Sequence, residues 1–227
     1  MEKTIFSKQM TIREISFAAL ILAMTIVLSS ITNKFKVSFL SPDFSLVPIL
    51  FCFLFVSKRS GLLVLVSKFL LGPLISSSAF GLASYFGHFI SLISISSFVC
   101  FYLLFSKIAK KLNLEKHEYL FIAFFAILYC TALMTILNTF LFNSIYFYLF
   151  GFLKTPFLND LLTNYQKFKG YFFGIDNYYF ASFTLYGIFN LANLMIVSWL
   201  FYGLYYFNKK TKAFSHLKYK IGDYYEY

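Results

Sequence analysis

Apolar positions along this chain come in long continuous runs, broken by short polar stretches, with no alternation of period two. Six such runs stand out, over about residues 14–31, 44–56, 61–74, 85–105, 119–142 and 184–207. Continuous runs of this kind predict apolar helices, and their lack of alternation argues against a membrane β-barrel. A bilayer span needs roughly 17–25 residues, so the second and third runs lie near the short limit. Between them, residues 57–61 (SKRSG) place Lys58 and Arg59 beside Gly61, which predicts a tight hairpin with Gly61 as the turn glycine. The expected fold is all-α: one integral membrane domain over residues 1–227 with six transmembrane helices and a tail at 208–227.

The segment between runs five and six is too long and polar for a simple turn. Thr155-Pro156 predicts a helix start, with threonine as cap and proline at the first position. Leu158, Leu161, Leu162 and Tyr165 follow at helical spacing against Asn159, Asp160, Asn164 and Lys167, and Gly170 ends the pattern. This predicts an amphipathic helix lying on the membrane face or over a cavity mouth. In the first run, Ala19 and Ala23 are four apart on one face, a spacing that lets another helix approach closely in lipid. No small-residue cleavage pattern ends that run, so it is read as a retained helix.

Composition agrees with this layout. The chain has 227 residues, 59% hydrophobic and 13% charged, with mean hydropathy +0.72. Its net charge of +11 would point to nucleic acid if the cations formed a stripe on a soluble face. They sit instead at the ends of apolar runs, where they orient a membrane protein and meet anionic headgroups. With the N-terminus inside, fourteen Lys/Arg fall in inner segments: Lys3, Lys8, Arg13, Lys58, Arg59, Lys107, Lys110, Lys111, Lys116, Lys209, Lys210, Lys212, Lys218 and Lys220. Five fall outside: Lys34, Lys36, Lys154, Lys167 and Lys169. That bias puts both termini in the cytoplasm of a bacterial cell, with the chain in its plasma membrane. Cys52, Cys100 and Cys130 lie within apolar runs without metal-ligand spacing, so neither a disulfide framework nor a metal site is expected.

The candidate chemistry is polar and buried. Lys68 lies seven residues past Gly61, roughly 10 Å into the membrane at a rise of 1.5 Å per residue. An ammonium there must snorkel, pair or line a wet cavity. Lys68, His88, Asn138, Asn190 and Asn193 all fall in the outer halves of their runs, and Asn190 and Asn193 share a helix face. Such groups can be interhelical glue, yet five at one level beneath an amphipathic loop fit a ligand cavity better. Asparagine amides match the edge of a polar, uncharged heteroaromatic ligand, and Phe and Tyr rings can stack on it. No Asp or Glu lies within a run's core, which argues against a proton or cation relay. No Walker A, GxSxG or HExxH motif is present, so no catalytic residue is expected.

Three blocks resemble the substrate-binding subunit (S component) of energy-coupling-factor vitamin transporters, most closely the riboflavin-specific type. Residues 39–71 resemble that family's DFSxxP…GLLVxxxK block at Asp43, Phe44, Ser45, Pro48, Gly61, Leu62, Leu63, Val64 and Lys68. Residues 137–146 resemble LNYFxxxPxY at Leu137, Asn138, Phe140 and Tyr146, and residues 189–193 resemble FNLIK at Phe189, Asn190 and Leu191. The resemblance implies six helices and a pocket open to the outside, with Asp43 added to the polar residues that hold the ligand. It also implies a first-helix face, Ala19 and Ala23, that docks a membrane coupling subunit. Two ATPase subunits would use the ATP, and this chain would carry no cofactor. The chain departs from the family pattern at Asn193 (Lys in FNLIK), Ser144 (Pro), Leu46 (the second Asp of DFSD) and His88 (Asn). Riboflavin or a related flavin is the expected ligand, with another vitamin or small heteroaromatic, or a non-transport membrane scaffold, as alternatives. A lipid-modifying membrane enzyme would need clustered intramembrane carboxylates or a His/Glu pair, which the runs lack.

Overall fold

A computed structural model describes residues 10–75, 81–114 and 118–214. The expectations for Lys3, Lys8, Lys116, Lys218, Lys220, residues 76–80 and the tail beyond 214 lie outside these described residues. The described chain is helical, with one isolated antiparallel bridge, Val37 to Leu40, and no strand.

Helix α1 spans Ile12–Thr32 and opens with a capping box. Thr11 Oγ1 accepts from Glu14 N at 3.2 Å, and Glu14 Oε2 accepts from Thr11 N at 2.8 Å, so two orphan donors are satisfied reciprocally. Glu14 is thus a cap residue and not part of an apolar span. Ala18, Ile21 and Thr25 face the core, while Ala19 and Ala23 lie on the exposed side.

Helix α2 covers Leu46–Val56, its last five residues wound as a π turn. The turn into α3 (Lys58–Ile75) is a single extended residue, Ser57, with φ −163°. Its hydroxyl accepts from Ser60 N at 3.0 Å and its carbonyl accepts from Gly61 N at 2.9 Å. The serine caps α3, so Lys58 and Arg59 are already helical and Gly61 is not the turn residue. The glycine is needed for a close approach: a Cβ at 61 would sit 2.5 Å from the Phe53 ring. Because α3 starts earlier than expected, Lys68 stands ten residues above its first residue, about 15 Å along the helix.

Helix α4 spans Leu82–Lys111 and ends in Lys110 and Lys111, which complement its C-terminal dipole. Helix α5 runs over Glu118–Leu149 with a π turn at Asn138–Phe142. Ser144, where the riboflavin-type pattern has proline, lets α5 continue; its hydroxyl donates to Leu141 O at 3.0 Å. Short helix α6, Leu158–Asn164, continues into two 3-10 turns that reach Phe172. Thr155-Pro156 does not start it. Asp160 instead reaches back, accepting from Lys154 N at 2.9 Å and Thr155 N at 2.8 Å, which holds those residues in a loop ahead of the helix. Leu161 and Tyr165 are buried, as their spacing predicts, but Gly170 does not end the pattern, since it lies inside the 3-10 turn Lys169–Phe172. Helix α7, Tyr178–Thr211, begins earlier than the hydrophobic run because Asn177 caps it through Phe180 N at 3.0 Å.

Four helices, α1, α4, α5 and α7, are long and apolar enough to cross a membrane. The pair α2 and α3 is shorter or more charged. The main core fills the bundle between α1 to α5 and α7. A second core lies at the end of the bundle where α5 meets α7, beneath residues 153–175. That layer is a packed cap, not a loose loop.

Candidate functional site

The loop ahead of α2 carries Asp43 and Ser45 into the bundle. Asp43 Oδ1 accepts from Ser45 N at 3.1 Å and from the Ser45 hydroxyl, a local turn that fixes the carboxylate. The other oxygen, Oδ2, accepts from Lys68 Nζ at 2.5 Å and from Ser91 Oγ on α4 at 2.6 Å. The same ammonium donates to Ser45 Oγ at 2.5 Å and Ser91 Oγ at 3.0 Å. An ammonium has three donors, and all three are placed. Asn193 on α7 closes the set, its Oδ1 accepting from Asp43 N at 3.1 Å. One loop and three helices therefore meet at one charge pair.

Lys68 is 4% exposed, so it does not snorkel. Of the fates open to a buried lysine, this one pairs. Burial alone would raise the Asp43 carboxyl. The Lys68 charge and hydrogen bonds from Lys68, Ser45 and Ser91 outweigh it, and the carboxyl falls from 3.8 to about 2. The acid that the apolar runs lack arrives from a connecting loop.

On the far side of Lys68 lies a cleft between α1, α3 and α4, lined by Ser29, Ser30, Asn33, Lys68, Gly72 and His88. Its free volume is about 20 Å³, enough for one water. A vitamin-sized ligand needs several hundred Å³, so this cleft is closed to one. Gly72 is required by the imidazole, since a Cβ there would lie 2.6 Å from the His88 ring.

The polar residues singled out in the sequence do not form one connected set. Asp43, Lys68 and Asn193 are joined, and His88 lines the adjoining cleft. Asn138 turns back on its own helix, its Nδ2 donating to Met134 O at 2.7 Å at the start of the π turn. Asn190 Nδ2 is buried without a hydrogen-bond partner.

Two parts of the site went unnoticed in the sequence. Ser91 is one turn from His88, on the same face, and that spacing was the available signal. The second is a buried network between α5 and α7. Asn143 Nδ2 donates to Tyr178 Oη at 3.0 Å, and Tyr186 Oη donates to Asn143 Oδ1. Tyr178 Oη donates to Thr139 O at 2.6 Å, and the Thr139 and Ser182 hydroxyls lie 2.8 Å apart. Just beyond it the Phe39 ring stands among five others, Tyr146, Phe147, Tyr171, Phe172 and Tyr186, with centroids 5.7–6.5 Å away. Ser38 ties the same loop to the cap by donating to Tyr171 O at 2.8 Å. This end of the bundle thus combines clustered aromatic rings with neutral amides and hydroxyls.

The chain is 28% identical over 192 residues to an uncharacterized protein of Mycoplasma pneumoniae, a match covering 81% of this chain and 82% of that relative. No protein-family model matches the chain. No solved structure matches it.

Proposed function

We propose that this chain is the S component of an energy-coupling-factor importer, capturing riboflavin or a related flavin on the outer side of a bacterial plasma membrane. In this reading α2 and α3 complete a six-span bundle, Lys58 and Arg59 face the cytoplasm, and both termini are cytoplasmic. The chain itself is not an enzyme. A membrane coupling subunit would dock on the Ala19 and Ala23 face, and two ATPase subunits would supply the energy.

The observation that carries the reading is the ion pair Asp43–Lys68 with Ser45, Ser91 and Asn193 around it, a set drawn from one loop and three helices. Interhelical glue needs only neutral amides and hydroxyls. A buried charge pair adds little net stability against an apolar replacement, and charges within membrane segments mark functional paths. The aromatic cluster around Phe39 and the packed cap suit a site that closes over a flat ligand. The cleft beside Lys68 is closed, so capture requires the cap or the loop carrying Phe39 and Asp43 to move.

Purified protein titrated with riboflavin tests this directly, because bound flavin loses its fluorescence when it stacks on aromatic rings. Saturable quenching that Lys68→Met weakens supports the reading. Unquenched flavin at all protein concentrations removes riboflavin as ligand. The small cleft volume favours a second reading, a membrane scaffold whose polar groups only hold helices together. In that case Lys68→Met changes stability and no small molecule changes the melting temperature.

A further inference from the structure

The network between α5 and α7 is the upper part of a longer polar seam. The helices pack against each other and run antiparallel, with Tyr119 reaching Ser198 at one level and Thr139 paired to Ser182 at another. On α5, Thr131, Thr135, Thr139 and Asn143 recur every four residues; on α7, Tyr178, Ser182, Tyr186 and Asn190 do the same. Residues four apart on a helix are neighbours along one side. Moving away from the cap from the Thr139–Ser182 pair, two steps on each helix bring Thr131 level with Asn190.

The two halves of this seam differ. In the upper half Thr139, Asn143, Tyr178 and Ser182 bond to one another, and Tyr186 reaches up to Asn143 from one step below. Below it, the Thr131 and Thr135 hydroxyls and the Asn190 amide nitrogen are all buried and have none. Thr135 is 5% exposed. A threonine in a helix ordinarily donates to the carbonyl one turn back, as Thr25 does to Ile21 O at 2.7 Å; these two do not. Leaving a buried polar group unpaired is costly, and three together at neighbouring levels call for a partner.

We propose that these lower rungs receive a carbonyl oxygen of the captured molecule. Asn190 Nδ2 and the Thr131 hydroxyl donate to it, and Thr135 hydrogen-bonds the adjacent ring nitrogen or hydroxyl. The ligand class is a neutral, flat molecule with a carbonyl at one edge, entering edge-first between α5 and α7 under the aromatic cluster. This rests on the capture reading and adds two threonines and a ligand chemistry to it.

The test uses Thr131→Val and Thr135→Val, which keep shape and remove the hydroxyl. Purified full-length protein is presented with riboflavin, lumichrome and nicotinamide, neutral flat molecules that each bear a carbonyl, and with thiamine, which has none. Affinity and melting temperature are both measured. The expected result is binding of a carbonyl-bearing probe that each valine variant weakens by roughly tenfold, while the ligand-free variants melt no lower than wild type. Equal affinity in wild type and variants overturns the inference and leaves the capture reading standing. Binding of thiamine alone also overturns it, and removes the flavin from the capture reading. A lower ligand-free melting temperature in both variants also overturns it, because the hydroxyls then had partners in the free protein. If none of the four probes binds wild type, this inference and the capture reading fall together.

Discussion

Lys68 Nζ and Asp43 Oδ2 lie 2.5 Å apart, joining the middle of α3 to the loop ahead of α2 across 25 residues of chain. The lysine is almost fully enclosed, and its three donors go to Asp43, Ser45 and Ser91. Each partner is therefore costly to remove alone. Asp43→Ala leaves an enclosed ammonium without its counter-charge and is expected to cost about 3 kcal/mol, towards the low end for such pairs because the carboxyl is part-exposed. The double change Asp43→Asn with Lys68→Met is expected to be less destabilising than Asp43→Ala. Denaturation of the purified variants measures both, and a double variant weaker than Asp43→Ala refutes this account of the pair.

The same pair sets an acid limit. The Asp43 carboxyl is held at about 2, below its ordinary 3.8. A carboxyl with a lowered value contributes its full stability above its unfolded value and loses it as pH falls through the folded one. The ion pair's share should therefore be complete above about pH 4 and fade towards pH 2. Melting temperature followed over that window should fall more steeply in wild type than in Asp43→Asn.

Gly61 and Gly72 are close-approach positions. A methyl at 61 meets the Phe53 ring at 2.5 Å, and one at 72 meets the His88 ring at 2.6 Å. Gly61→Ala and Gly72→Ala are each expected to cost about 1–3 kcal/mol through overpacking. His88→Ala should relieve most of the Gly72→Ala penalty, and a double-variant cycle reads that coupling.

Asp160 fixes the entry to the cap. Its carboxylate accepts from Thr155 N and Oγ1, from Lys154 N and from Asn164 Nδ2, and these bonds, with Thr155 N–H first, hold its pKa below the ordinary value. Asp160→Ala is expected to speed proteolysis between residues 151 and 160 while leaving the melting temperature of the bundle close to wild type.

Ala19 and Ala23 lie on the exposed side of α1. Under the importer reading, Ala19→Trp and Ala23→Trp should abolish cellular uptake and leave ligand affinity of the isolated subunit intact. Loss of affinity in the isolated chain would mean that these alanines support the fold instead.

The hydrophobic runs alone determined that the chain is helical, where four long apolar helices lie and which side of the cap segment is buried. Burial of an apolar side chain depends on its own local pattern, so it is written in consecutive residues. What only the tertiary structure decided involves groups far apart in sequence. Gly61 read as a turn residue because glycine often is; only the Phe53 ring against it shows a close approach. Lys68 could snorkel, pair or line a cavity by its sequence alone; that it pairs, and with Asp43, is decided by a loop outside the run that holds the lysine. Asn143 and Tyr186 drew no notice because an amide and a phenol become a network only when two antiparallel helices set them side by side. Polar pairing needs donor and acceptor within about 3 Å, and that proximity between distant segments is a property of packing, which no single stretch of sequence encodes.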